Sequence, residues 1–201
     1  MGPPDDDHPS LPRLVLASAS PRRAALLDLL GLDYVVEPAE VDETQHQGED
    51  PITYVGRVAR AKAAARAGED RLVLAADTTV ALDGDILAKP ADADDARRML
   101  QRLSGRRHEV HTGVVARLGD RVAARTDTTR VRFVALTQHE IDWYVATGEP
   151  LDKAGAYGIQ GAGGTFVADV EGNVQNVIGL SLATVHELVR RLGVDLFDWA
   201  R

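Results

Sequence analysis

Residues 14–23, Leu-Val-Leu-Ala-Ser-Ala-Ser-Pro-Arg-Arg, constrain this chain more than any other stretch. They open as an apolar strand and close as the start of a helix. Ser20 suits the N-cap, where its hydroxyl accepts from a free N–H of the first turn. Pro21 suits the first helical position, where a missing N–H costs nothing. Ala24, Leu26, Leu27, Leu29 and Leu30 then give the helix an apolar face, and Gly31 is its expected stop. A strand must therefore hand over directly to a helix N-terminus. That end presents free N–H groups and the positive end of a helix dipole, with Ser18, Ser20, Arg22 and Arg23 around it. Forked guanidinium donors match phosphate oxygens. The stretch reads as a phosphate cradle. The plainer alternative is a capped helix with solvated arginines.

Beyond Gly31 the chain alternates between strand and helix signals. Tyr34–Val36 reads as a short strand, and residues 38–50 as an acidic loop. Asp50-Pro51 opens a helix expected to run to Ala67 and stop at Gly68. Residues 71–76 form an apolar strand, with Asp77 directly after it. Thr79–Leu82 and Ile86–Leu87 flank an Asp83-Gly84 turn and read as a hairpin. Asp92 caps a helix through Leu103, and two long strand patterns, 108–118 and 122–136, flank Gly119-Asp120. Thr137 and Glu140 make a capping box for a helix to Ala146. Residues 147–165 are rich in glycine and read as nineteen structureless residues, a length that usually signals function. Phe166–Val170 is an expected strand, and Ser181 caps a last helix to Leu192. Such mixing argues an α/β or α+β fold around one mixed sheet.

Composition excludes several function classes. The chain has 201 residues, 44% of them apolar, enough for one sizeable domain. It has no cysteine, which removes disulfides, thiolate catalysis and Cys-based zinc sites and points to a reducing compartment, the cytoplasm. A net charge of -8 leaves no global basic field for a nucleic acid polymer, although a local site for a small anion remains open. No apolar run approaches the roughly 20 residues of a membrane helix. Residues 1–12 carry neither the basic nor the apolar part of a signal peptide and read as a flexible segment ahead of a single domain over 13–201.

Several side chains suit chemistry on a phosphate. Asp77 at a strand end and Glu43 in the acidic loop are oxygen donors that together suit a hard cation such as Mg²⁺. Lys62, flanked by small apolar residues, reads as reaching from a packed helix into a cleft, or as snorkelling over that surface. Lys89 is held between the hairpin and Pro90. Arg22, Arg23, Lys62 and Lys89, if brought together, neutralise most of a triphosphate's charge. The six histidines show no zinc spacing and read as structural. With neither a Walker sequence nor a G-x-S-x-G elbow, Ser18 and Ser20 read as phosphate donors rather than nucleophiles.

Taken in order, LASASPRR at 16–23, Val41-Asp42-Glu43, Lys62, AADTTV at 75–80 and ILAKP at 86–90 match a known family. So do LSGRRHEVHTGV at 103–114, TGEPLDKAGAYGIQG at 147–161 and VEGNVQNVIGLSL at 170–182. The chain resembles the Maf nucleotide pyrophosphatases, the septum formation inhibitor family, over residues 13–193. The resemblance implies an α/β fold like that of inosine triphosphate pyrophosphatases, with two lobes around a cleft, often as a homodimer. It implies hydrolysis of a nucleoside triphosphate to the monophosphate and pyrophosphate, dependent on Mg²⁺ or Mn²⁺. By position, Asp77 is the implied proton acceptor, and Glu43 and Asp77 the implied metal ligands. Ser18, Arg22, Arg23, Lys62, Thr78, Lys89 and Gln160 are the implied substrate-binding residues. Arg22, Thr78 and Gln160 resemble the dTTP/UTP branch, a housecleaning activity on pyrimidine triphosphates. The alternatives are the 7-methyl-GTP branch or another noncanonical triphosphate, and a regulatory nucleotide-binding protein of septum formation. Ala88 and Ser181 depart from the family's usual Gly and Pro.

Overall fold

A computed structural model describes residues 11–201. The flexible segment expected over 1–12 lies almost wholly outside the described residues. Pro12 is anchored, since the Trp199 indole donates to its carbonyl at 2.7 Å.

Among the described residues, seven strands form one mixed sheet. They are β1 (Arg13–Leu16), β2 (Val35–Val36), β3 (Arg71–Leu82), β4 (Asp85–Leu87), β5 (Arg107–Leu118), β6 (Arg121–Phe133) and β7 (Val167–Glu171). Their order is β2-β1-β3-β5-β6-β7, with β4 beside β3. β1 runs parallel to β2 and β3, and every other pairing is antiparallel. Around it lie the α-helices α1 (Pro21–Asp28), α2 (Pro51–Ala65), α3 (Ala93–Leu103), α4 (Gln138–Ala146), α5 (Val174–Ile178) and α6 (Leu182–Arg191). Their starts follow the cap chemistry. Ser20, Asp50, Asp92 and Ser181 each accept from the first turn, and Thr137 with Glu140 forms the reciprocal capping box.

Because strand side chains alternate between faces, β3 and β5 sort the core. On one face, Leu72, Leu74 and Ala76 pack with Val114, Ala116 and Leu118 under α1 and α6. Farther along the same face, Val80, Leu82, Val110, Val131 and Phe133 pack under α3 and α4. Thr78 and Thr112, paired across the two strands, stand between these two cores. The opposite face carries α2 on Val15, Ala17, Val73, Ala75 and Val115.

Three expectations are corrected. β3 does not end at residue 76 but runs unbroken for 12 residues, because Asp77, Thr78 and Thr79 keep their pairing with Gly113, Thr112 and His111. Residues 147–165 are not structureless, since short 3₁₀ turns occupy Glu149–Asp152, Ala154–Ala156 and Ala162–Phe166. Helix α5 has no counterpart in the sequence reading, because its five residues are too few to show a period.

Candidate active site

The site begins with a gap in the pairing of β3. On one side β3 pairs with β1 through Leu74 and with β4 only from Val80. The intervening edge is left open to both faces of the sheet. Asp77 therefore stands where the neighbouring strand ends, although its own strand continues. A cleft of about 790 Å³ lies over this gap. All nine site residues that the family resemblance implies line it: Ser18, Arg22, Arg23, Glu43, Lys62, Asp77, Thr78, Lys89 and Gln160.

Asp77 and Lys62 meet on the α2 face. The Lys62 ammonium lies 2.7 Å from Asp77 Oδ1 and 2.8 Å from Glu43 Oε1. Lys62 and Asp77 are buried, whereas half of the Glu43 side chain is exposed. The tip of α2 places Tyr54 beside them, and its hydroxyl donates to the Glu43 carbonyl at 3.0 Å. Burial raises the pKa of Asp77 above the usual carboxylate range, against the opposing pull of Lys62 and Arg23. Burial and the two nearby carboxylates push the Tyr54 phenol up to about 12. Among the described residues, no three His, Asp or Glu side chains gather as a metal cluster. Two carboxylates already sharing one cation nevertheless fit a magnesium-type site, which commonly takes one or two carboxylates and completes its shell with phosphate oxygens.

The cradle is built from the handover of β1 to α1. Ser18 Oγ accepts from the Ser20 amide at 3.2 Å and from Arg23 Nη1 at 3.0 Å, which leaves its own proton to donate. Arg23 is buried, with Nε on the Gly179 carbonyl at 2.9 Å and Nη2 on Thr78 Oγ1 at 3.0 Å. Its charge serves the cleft, while these three nitrogens tie α1, β3 and the end of α5 together. Burial lowers its pKa from the usual arginine value. Arg22 points across the cleft and meets Asp152 at 3.2 Å. Asp152 also holds Lys153 at 2.6 Å, so the far wall adds a cation that the sequence reading missed.

Other residues were missed because their roles arise from tertiary contacts. Glu149 organises the glycine-rich wall, accepting from the Tyr144 hydroxyl at 2.8 Å and the Ala162 amide at 2.9 Å. Thr112 and Asn176, both fully buried, sit beneath Thr78. Periodicity signals apolar faces and is silent about buried polar partners.

The family model described as Maf-like protein matches residues 13–192. The chain belongs to the Maf family. Among curated relatives, the dTTP/UTP pyrophosphatase of Anaeromyxobacter sp. (strain Fw109-5) is 60% identical over 92% of this chain and 91% of its own length. The dTTP/UTP pyrophosphatase of Myxococcus xanthus (strain DK1622) is 53% identical over 91% of this chain and 94% of its own. The solved structure of the Staphylococcus aureus Ham1 protein is similar at a TM-score of 0.46 and 19% identity, covering 60% of this chain and 71% of that one. A likeness that loose does not bear on the fold. In this Maf protein the motifs that define the resemblance lie on separate elements, and the sheet gap is where they converge.

Proposed function

We propose that this chain hydrolyses dTTP and UTP to the nucleoside monophosphate and pyrophosphate. The observation that carries the reading is Lys62 held between Asp77 and Glu43 at the floor of a cation-lined cleft. Its Maf membership and the names of its relatives supply the substrate class. Water attacks the α-phosphorus while Asp77 takes its proton. The bond to the bridging oxygen breaks, and pyrophosphate leaves. A carboxylate whose pKa is raised by burial is a better base for that step. Ser18, Arg22 and Lys89 hold phosphate oxygens, Arg23 adds its buried charge, and Lys62 positions both carboxylates. Gln160 lies on the opposite wall as a substrate contact. Glu43 and Asp77 would hold the Mg²⁺ or Mn²⁺ ion, which as a Lewis acid neutralises charge developing on the phosphate oxygens.

Residues 13–201 act as one catalytic unit in this reading, with the cleft between its two cores. The absence of cysteine suits the cytoplasm, the charge of -8 disfavours a nucleic acid polymer as partner, and the family resemblance suggests a homodimer. No helix among the described residues is long and apolar enough to cross a membrane. The experiment is a panel of nucleoside triphosphates with Mg²⁺ and Mn²⁺, scored for pyrophosphate. Turnover of dTTP and UTP with pyrophosphate release is expected. Release of orthophosphate with a diphosphate, or no turnover of either nucleotide, refutes the reading.

A further inference from the structure

The polar seam between the two cores carries a fixed direction of proton donation. Thr112 Oγ1 lies 2.9 Å from the Asn176 carbonyl oxygen, which only accepts. Thr112 is fully buried, so no solvent competes for its single proton. That proton is committed to Asn176, because the reverse choice strands a buried carbonyl. Thr112 then acts as acceptor in its 2.9 Å bond with Thr78 Oγ1, and Thr78 is the donor. Arg23 Nη2 has only protons to give, and it donates to Thr78 at 3.0 Å. Thr78 has thus spent its one proton on Thr112 and one lone pair on Arg23. What remains on its half-buried hydroxyl is a second lone pair, on the wall of the cleft.

An acceptor-only hydroxyl is of no use to a phosphate, which presents acceptors itself. Ser18 is the reverse case, with two bonds accepted and its proton free. Strand alternation also puts Thr78 on the opposite face of β3 from Asp77 and Lys62. We infer that Thr112 is a positioning residue that holds Thr78 as an acceptor for the N3–H of a uracil or thymine ring. This rests on the pyrimidine triphosphate reading above and deepens it. Uracil and thymine share that imide donor. Cytosine carries a lone pair at N3, which would face the lone pair of Thr78. A site built to bond a donor rejects an analogue that lacks it far more strongly than an apolar pocket does.

The test compares UTP with CTP on the whole protein, both as kcat/KM and as binding of their non-hydrolysable α,β-methylene analogues. Wild type is expected to favour the uracil nucleotide in both. Thr112→Val keeps the shape but removes the acceptor for the Thr78 proton, so Thr78 can turn its proton to the cleft. The UTP-to-CTP ratio should then fall by about tenfold, the worth of one such bond. Thr112→Ser restores the hydroxyl and should keep the wild-type ratio. An equal loss on UTP and CTP in Thr112→Val, with the ratio intact, would leave Thr112 a merely structural residue and overturn the inference. If Thr112→Val does not fold, wild type with N3-methyl-UTP beside 5-methyl-UTP decides. Rejection of the first alone upholds the N3–H contact, and equal use of both overturns it. The binding arm reads selectivity without turnover, so failure of the catalytic reading is distinguishable from failure of this one.

Discussion

At the scale of single residues, the site turns on one ammonium shared by two carboxylates. Asp77 is buried and Glu43 half-exposed, so losing either has different consequences. Asp77→Asn keeps the shape and removes the charge that takes a proton. Turnover should fall at least about 10²-fold, the lower end for losing a general base. Nucleotide affinity should change far less, because Arg22, Lys89 and Lys62 remain. Turnover measured beside direct nucleotide binding separates the two, and near wild-type hydrolysis by Asp77→Asn would remove it as the base. The same pair of oxygens makes a second prediction. With ligands of oxygen only, a hard divalent cation is expected to be required, and excess EDTA should abolish pyrophosphate release. Undiminished turnover in chelator would take the metal out of the reaction. These residues were legible in the sequence because each sits in a locally constrained setting: a strand's polar break, a lysine among alanines, a serine before Pro-Arg-Arg. Their partners were not. Nothing local to Thr112, Asn176 or Asp152 announces that it will meet Thr78, Thr112 or Arg22.

The elements explain why Lys62 reaches Asp77. Gly113 on β5 pairs with Asp77, and α2 crosses directly above it. A Cβ at Gly113 would stand 2.5 Å from the Val55 carbonyl oxygen and 2.7 Å from its carbon, both backbone atoms of α2. Backbone in mid-helix has little room to yield, so the glycine sets how closely α2 lies on the sheet. Gly113→Ala should cost about 1–3 kcal/mol, the range for overpacking a core. Turnover should fall as well, since lifting α2 draws Lys62 away from Asp77. Denaturant midpoints and kcat for this variant check both halves, and a wild-type midpoint would show that the helix floats free of that contact. Most elements are legible in the sequence because caps and apolar periods are local. In the sequence β3 looks broken at Asp77, because three consecutive polar residues resemble a strand's end. In the fold, Asp77 meets Lys62, Thr78 meets Arg23 and Thr112, and the ladder to β5 continues beneath them. The glycine-rich run hides its turns for a related reason. Its turns are held by Glu149 and Tyr144, contacts no window of sequence displays.

For the whole molecule, two cores on one face of a shared sheet meet at a polar seam, and stability depends on both staying dry. The second core buries a titratable group, His108, among Phe133 and Tyr157. Its Nε2 pairs with the Tyr157 hydroxyl at 2.8 Å, and Nδ1 has no partner among the described residues. Burial holds its pKa down to about 4, against 6.5 for an exposed imidazole. The unfolded chain therefore binds the proton first as pH falls. Stability from keeping His108 neutral is fully present above pH 6.5 and is lost as pH drops from there toward 4. Between pH 6.5 and 5 the loss from His108 alone should be about 2 kcal/mol. His111, also lowered by burial, acts in the same direction. Asp77 acts in the opposite one, since its raised pKa favours the folded state on protonation. Comparing wild type with His108→Leu cancels the groups common to both. The variant loses a bond to Tyr157 and starts from a lower plateau, yet its denaturant midpoint should fall less steeply through this window. Parallel slopes for the two proteins would mean that His108 is solvated or partnered in solution and that the second core is wetter than its packing implies.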